Sequence, residues 1–324
     1  MKWAIIGTGN ITHQFARDSS LVDHVDIVAV CSRRKESGDK FAKEFGIAKV
    51  YTDYDDLLNS EEIDNIYVGI PHPNHKEVVN YFLAKGKNVL CEKPLGVNKE
   101  EVQSMIKTAK DNNCLLMEAM WSLFFPSVIK TKALLSQEHF GKINSIAGYI
   151  GFGSGGSHDQ WRYKNAMAGG ALLDVGIYPI HFFLHIFDAM PTEYTGLAHV
   201  QDGVDLTEKV LMDFGGTLAS FDASIVNTYP CGYDIYCEKG SIHLDLIIAP
   251  STLTLKPMDG PEEVIDFSFK KGGMQYEIQA FDDATQKGLK ELAPLSHDRT
   301  LAVIEIMDGL RNKWQLVYPS DQTD

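Results

Sequence analysis

The sequence predicts an α/β protein in two domains. A doubly wound parallel sheet is expected over residues 1–119, followed by an α+β domain over residues 120–324 with a large, mostly antiparallel open sheet. Three observations predict it. Short apolar, β-branched runs alternate with amphipathic stretches up to about residue 119, the pattern of strands joined by helical crossovers. Gly7-Thr8-Gly9 sits where the first strand meets the first helix. After residue 120, strand-like runs follow one another without intervening helices, as in an antiparallel sheet. A chain of 324 residues also exceeds what one core usually serves.

In order, Trp3-Ala4-Ile5-Ile6 reads as a strand, and Ile11, Phe15 and Ala16 mark one face of the helix after it. Residues 25–31 form a second strand, and Phe41, Ala42 and Phe45 a second helical face. Asp53 is placed to cap a short helix through Leu57-Leu58. Residues 66–70 are a strand, Val78, Val79, Phe82 and Leu83 recur at helical spacing, and Val89-Leu90-Cys91 is the next strand. Asn98, with Glu101 three residues on, opens a helix by a variant of the capping box. Leu115 to Met117 closes the series. Beyond it come a helix near residues 127–135, a Gly-rich strand over residues 143–156 and a long apolar segment over residues 171–187. Strands with a period of two follow at 209–213, 217–225, 233–238 and 241–247, and helices at 276–292 and 299–314 end the chain.

Composition narrows the function. Lys and Arg total 30 against 44 Asp and Glu, a formal charge of -14, which repels nucleic acid and anionic membrane at long range. No run approaches the roughly 18 apolar residues of a membrane span, and residues 3–6 are too short for a signal-peptide core. Five cysteines without a CxxC pair fit a reduced protein rather than a disulfide framework or zinc site, so the cytoplasm is the expected compartment. His181 and His185 stand at metal-ligand spacing, but no carboxylate motif accompanies them and no metal site is expected. Tyr81-x-x-x-Lys85 matches a known dehydrogenase pair only by spacing, and lies too early in the chain to be one.

Glycines at 7 and 9 permit a tight turn and close approach of a pyrophosphate to the following helix N-terminus, as in a Rossmann dinucleotide site. The full fingerprint wants a third Gly at position 12, where this chain has Thr12. At the end of the second strand, Cys31-Ser32-Arg33-Arg34 lacks the acid that binds a ribose 2′-hydroxyl in NAD sites. Paired guanidinium groups suit a 2′-phosphate instead, so NADP is the expected cofactor, with NAD as the alternative.

Two further segments carry chemistry. Glu92-Lys93-Pro94 follows the strand at Val89, on the sheet edge where ligands of open α/β sheets bind, and Lys93 there can polarise a carbonyl or favour a neighbouring phenolate. His75, opening the preceding helix on the same edge, is either a surface cap or a ligand contact. Within residues 169–185, Asp174, Tyr178, His181 and His185 fall in one arc of an otherwise apolar helix, a polar stripe that needs partners or a purpose. Gly176 and Pro179 should kink or restart that helix.

Gly7-x-Gly9, Glu92-Lys93-Pro94 and Gly169-Gly170-x-Leu172-x-Asp174 with Tyr178 four residues on resemble the Gfo/Idh/MocA oxidoreductase family over essentially the whole chain. Tyr at position 178, Trp161-Arg162 upstream and Met117-Glu118-Ala119-Met120-Trp121 resemble its dimeric dihydrodiol/D-xylose dehydrogenase and glucose-fructose oxidoreductase subgroup. The resemblance implies hydride transfer between nicotinamide C4 and a hydroxyl or carbonyl carbon of a sugar, polyol or vicinal diol. It implies Tyr178 as acid/base, Lys93 as its electrostatic partner and Asp174 as positioner. Taken together, the expected cofactor contacts are Gly7, Thr8, Gly9, Asn10, Ile11, Ser32, Arg33, Arg34, Pro71, His75, Glu92, Lys93 and Arg162, and the expected substrate contacts Trp121, Trp161 and His181. Aromatic residues Phe124, Phe125, Tyr149 and Tyr163 are expected beside these tryptophans in the pocket. A homo-oligomer through the open sheet is expected, because an uncovered apolar face is a liability. The alternative from another class is a catalytically silent NADP-binding regulator or redox sensor on the same fold.

Overall fold

The computed structural model describes residues 1–153, 160–268 and 272–322; the last positions of the expected strand over 143–156 lie outside them. The chain divides into two compact units, Met1–Met120 with Lys270–Thr300, and Trp121–Phe269 with Leu301–Asp324.

In the first unit, β1 (Lys2–Ile6), α1 (Asn10–Ser19), β2 (Asp26–Cys31), α2 (Lys35–Phe45), β3 (Lys49–Tyr51), α3 (Tyr54–Ser60), β4 (Asn65–Val68), α4 (His75–Ala84), β5 (Asn88–Glu92), α5 (Lys99–Asp111) and β6 (Leu116–Ala119) alternate as expected. Their six strands are all parallel in the order β3-β2-β1-β4-β5-β6. That is the doubly wound order with its switch point between β1 and β4, beyond whose carboxyl ends ligands bind. β1, β4 and β5 are buried along nearly their whole length, as a sheet covered on both faces requires. Asp53 and Asn98 do cap α3 and α5, accepting the backbone N–H of Asp56 and Glu101 at 3.0 Å each. The fourth strand stops at Val68, two residues before the expected end, which leaves Gly69 and Ile70 in the turn above the sheet.

The sequence boundary at 119/120 assigned everything downstream to one domain. Residues 270–300 instead join the first unit. Helix α8 (Gln275–Gln286) buries Ile278, Phe281 and Ala284 there. Asp282 Oδ1 accepts the Trp3 indole N–H at 3.1 Å, and the Phe281 ring lies 5.3 Å from Trp3. The apolar face of α8 shows that it packs, not against which sheet. Only the three-dimensional pairing decides that.

The second unit contains α6 (Pro126–Ser136), β7 (Ile143–Gly151), a π turn (Leu172–Gly176) running into α7 (Ile177–Phe187), β8 (Glu193–Gln201), β9 (Val204–Asp213), β10 (Leu218–Ser224), β11 (Gly232–Cys237), β12 (Gly240–Asp245), β13 (Thr252–Pro257) and β14 (Glu263–Asp266); α9 (His297–Trp314) ends the helices of the chain. Its eight strands run β14-β13-β12-β11-β7-β10-β9-β8, antiparallel except for the β7–β10 pair. One face carries α7: Phe182 stacks on Tyr233 at 3.8 Å, and Phe183 lies 6.4 Å from Phe221. The strand register puts Leu197, Leu211, Leu218, Tyr149 and Tyr236 on the opposite, open face. They are interleaved there with the Lys209–Asp222 and His243–Asp234 pairs.

Residues Asn165–Phe187 are a helical stretch long and apolar enough by composition to cross a membrane, contrary to the expectation that no run reaches that length. The sequence reading missed it because Asp174, Tyr178, Pro179 and His181 interrupt the run. In the fold, 89% of its apolar window is buried, so core packing accounts for its hydrophobicity.

Candidate active site

The turn after β1 is built from the first glycine. Gly7 adopts φ +105°, and a Cβ there would stand 2.5 Å from the Gly69 carbonyl oxygen, so no other residue fits. Gly9 caps α1 with extended backbone and open space where a Cβ would be, which leaves room over the N–H groups of Asn10 and Ile11. Thr12 replaces the third fingerprint glycine. Its hydroxyl donates to Gly9 O at 2.7 Å, and its methyl fills the space a Cβ on Gly69 would need, the two being 2.4 Å apart if built. The close helix–strand approach is thus kept by a glycine on the other partner. Sequence reasoning missed Gly69, whose signal was a glycine ending an otherwise apolar strand.

A cavity of about 330 Å³ opens beside this turn, lined by Ser32, Arg33, Asp53, Tyr54, Pro71 and Asn74 among others. Thr8 Oγ1 lies 3.5 Å from Ser32 Oγ, joining the glycine turn to the end of β2. Arg33 lines the cavity; Arg34 does not, and instead stands at the N-cap of α2. A glycine cradle, free helix N–H groups and a cavity with a guanidinium at its wall fit a dinucleotide.

Glu92 and His75 brace the loops at the carboxyl ends of β4 and β5. Both are buried, with protein groups as the partners of their side chains. Glu92 accepts the Tyr67 hydroxyl at 2.6 Å and the Lys93 N–H at 3.3 Å, and burial pushes its carboxyl up to about 7. The two ring nitrogens of His75 face the carbonyls of Pro94 and Ile70 at 2.9 and 2.8 Å, and burial lowers its pKa. His75 therefore braces the loop after β4 against the loop after β5. Glu118 accepts Leu95 N–H and Glu101 accepts Val97 N–H, each at 2.9 Å, so buried acids hold the loop that begins at Lys93. Lys93 itself is half-buried at the carboxyl end of β5.

In the second unit the Gly169–Tyr178 segment is not one regular helix. Residues 172–176 form a π turn, and α7 starts at Ile177. Proline lacks the donor of the α-ladder and clashes with the carbonyl four residues back, which the widened turn before Pro179 accommodates. Asp174 lies 3.7 Å from Arg162 Nε, and the Arg162 guanidinium sits 5.8 Å from the Trp161 ring. Tyr178 is 6% exposed and accepts the Trp121 indole N–H at 3.3 Å. His181, one turn further, is fully buried. The segment thus brings together Trp121 with Tyr178, and Trp161-Arg162 with Asp174. Tyr149 does not belong with them: strand alternation sends it to the open face while Gly148 faces Tyr233 and α7. Phe125 is also unavailable, being fully buried.

Residues 1–120 match the family model described as the oxidoreductase family with an NAD-binding Rossmann fold. Residues 128–243 match the GFO/IDH/MocA C-terminal domain. The chain is 33% identical over 334 residues to trans-1,2-dihydrobenzene-1,2-diol dehydrogenase of Mus musculus, covering 99% of each. Its fold is similar to that of aldose-aldose oxidoreductase from Caulobacter crescentus complexed with glycerol, with TM-score 0.88 and 19% identity over 97% of both chains. It is similar too to that of a 3-ketoreductase from Actinomadura kijaniata in complex with NADP and TDP-benzene, with TM-score 0.85 and 23% identity over 96% of this chain and 97% of the other. Relatives named as dehydrogenases favour an oxidoreductase over the silent regulator. Matched in order by both family models and along its length by such a relative, the chain belongs to the Gfo/Idh/MocA family of oxidoreductases, in the branch that includes the dihydrodiol dehydrogenases.

Proposed function

We propose that this protein is an NADP-preferring dehydrogenase of sugar, polyol or vicinal-diol hydroxyl groups, with Tyr178 as acid/base, Lys93 as its electrostatic partner and Asp174 as a positioning group. The observation that carries the reading is the environment of Tyr178. Its phenol is nearly buried, receives an indole N–H from Trp121, and lies on the segment whose Asp174 is paired with Arg162. An N–H donor aimed at the phenol oxygen stabilises negative charge there.

Bound NADP supplies the acceptor or donor of the hydride. Gly7 and the start of α1 hold its pyrophosphate, and Arg33 its 2′-phosphate. In oxidation, the substrate hydroxyl gives its proton to the Tyr178 oxygen as hydride leaves the same carbon; in reduction, the neutral phenol returns that proton to the carbonyl oxygen. Free tyrosine titrates near pH ~10, so a base at neutral pH needs a cation such as Lys93. The substrate class is supported by relatives named for a diol and by a structural neighbour complexed with glycerol. Exposed Trp161 offers a ring face to a sugar or an aromatic diol.

Turnover is followed at the nicotinamide absorbance across aldoses, polyols and vicinal diols. Tyr178→Phe lowers kcat by about 10²–10⁴-fold and Lys93→Met by about tenfold or more, with the fold intact by circular dichroism. Near-normal kcat in both variants excludes the assignment.

A further inference from the structure

The strand β9 carries two acids that the reaction does not use. Asp205 and Glu208 are three residues apart, a spacing that sends side chains to opposite faces of a regular strand. The β8–β9 register shifts between His199 and Val200, which pair with Thr207 and Asp205, leaving Leu206 as a bulged extra residue. The bulge brings both acids into the interior, where Asp205 is 0% and Glu208 1% exposed.

Both carboxyls press on the turn that bears Asp174. Asp205 Oδ2 accepts the Leu172 N–H at 2.6 Å. A Cβ on Gly170, which has φ +136°, would stand 1.9 Å from Asp205 Oδ1, and one on Gly176 would stand 2.2 Å from Glu208 Oε1. Gly170, just before the π turn, and Gly176, at its end, are therefore the places where the acids sit. From behind, the Tyr318 hydroxyl donates to Gly169 O at 2.8 Å. The Arg311 guanidinium lies 4.9 Å from the Tyr318 ring and is itself bound by Asp308 and Asp321.

The pair has too few donors for two charges. Oδ1 of Asp205 and both oxygens of Glu208 meet no N–H or O–H group among the described residues. Among the described residues, the charged and titratable groups that act on the pair are Arg311 of α9 and Tyr318 beyond it; Asp308 and Asp321 stand behind them on Arg311, and Asp174 is borne by the turn that the pair holds. Arg311, the cation acting on Asp205 among the described residues, already serves two carboxylates. A single proton resolves the shortage: Glu208 donates it to Asp205, whose ionised form keeps the Leu172 N–H. Burial raises both carboxyls, and the neighbouring Asp205 charge raises Glu208 further.

We propose that Asp205 and Glu208 form a one-proton carboxyl pair that clamps both ends of the π turn and so holds Asp174 and Tyr178 in working geometry. They are positioning residues, and the inference rests on the acid/base reading above. The test compares Glu208→Leu, which cannot donate, with Glu208→Gln, which donates through its amide. Turnover is measured against pH beside dinucleotide Kd by fluorescence, with Tyr178→Phe and Asp174→Asn run in parallel. Glu208→Leu is expected to lower kcat by about tenfold or more with dinucleotide Kd within about twofold. Glu208→Gln restores kcat to within about twofold and flattens the alkaline decline caused when the shared proton leaves. The clamp is overturned if the Leu variant keeps full kcat, or if the Gln variant falls as far as Leu. If Glu208→Leu does not fold, the Gln variant decides, and a pH profile coincident with wild type overturns the clamp. Loss of turnover in Tyr178→Phe and Asp174→Asn without loss in Glu208→Leu removes the clamp alone. Normal turnover in both of those variants removes the acid/base reading and the clamp with it.

Discussion

Arg33 and Arg34 are adjacent in sequence and do different things in space. Arg33 lines the cavity beside the glycine turn, in company with Asp53 and Glu77, whose carboxylates would repel a phosphate. Arg34 starts α2, where its carbonyl accepts the N–H groups of Ser37 and Gly38 at 3.1 Å. One guanidinium must therefore outweigh two acids if a 2′-phosphate is to bind. Arg33→Ala is expected to raise the Kd of NADP by about ten- to a hundredfold, the value of one or two charged hydrogen bonds, and to leave that of NAD within about twofold. Arg34→Ala should change both less. Equal losses for the two cofactors would refute the 2′-phosphate role. The pair was legible in the sequence because strand-end position is a local property; which of the two faces the cavity was not, because that depends on how α2 begins.

At the scale of elements, the contact between α1 and the end of β4 shows how a motif can be kept with one of its residues changed. The third fingerprint glycine exists to let helix and strand approach closely. Here Thr12 occupies that position and Gly69 yields the space, a built Cβ standing 2.4 Å from the Thr12 Cγ2 methyl and 3.1 Å from the Tyr67 ring. Gly69→Ala should lower stability by about 1–3 kcal/mol through overpacking, and weaken dinucleotide binding. Thr12→Ser removes that methyl and keeps the hydroxyl bonded to Gly9, so the double variant should recover part of the loss, the Tyr67 ring contact remaining. Thermal melts of the single and double variants measure the coupling, and simple additivity would mean that the two residues do not share the space. Sequence spacing exposed the missing glycine, but its replacement is 57 positions away and was visible only as a glycine at a strand end.

For the whole molecule, the buried acids set a pH dependence. Glu92, Glu208 and Glu277 are all raised first by burial, and both oxygens of Glu277 lack a donor among the described residues. A carboxyl raised in the fold binds more protons there than in the unfolded chain. Its stabilising contribution is therefore complete below the unfolded value and is lost as pH rises through the folded one. For Glu92 the window runs from 4.5 to about 7, and at about 1.4 kcal/mol per unit the loss is roughly 3 kcal/mol. The Tm should fall as pH rises from about 5 to about 8, and Glu92→Gln should remove the part of the slope below about pH 7. A flat Tm in the wild type across that window would show that these acids are not buried in solution as they are here.

The alternation of strands and helices, the glycine turn after β1, the caps at Asp53 and Asn98 and the family motif from Gly169 to Tyr178 were all readable from the chain alone. Each depends on residues within a turn or two of one another, and side-chain periodicity records such neighbours directly. What needed the tertiary structure was every choice of partner or face. The return of residues 270–300 to the first unit, the inward turn of Glu92 and His75, the outward turn of Tyr149 and the bulge that joins Asp205 to Glu208 are of this kind. A strand's pattern says that it has two faces; the register it shares with a strand far along the chain decides which residues face the interior.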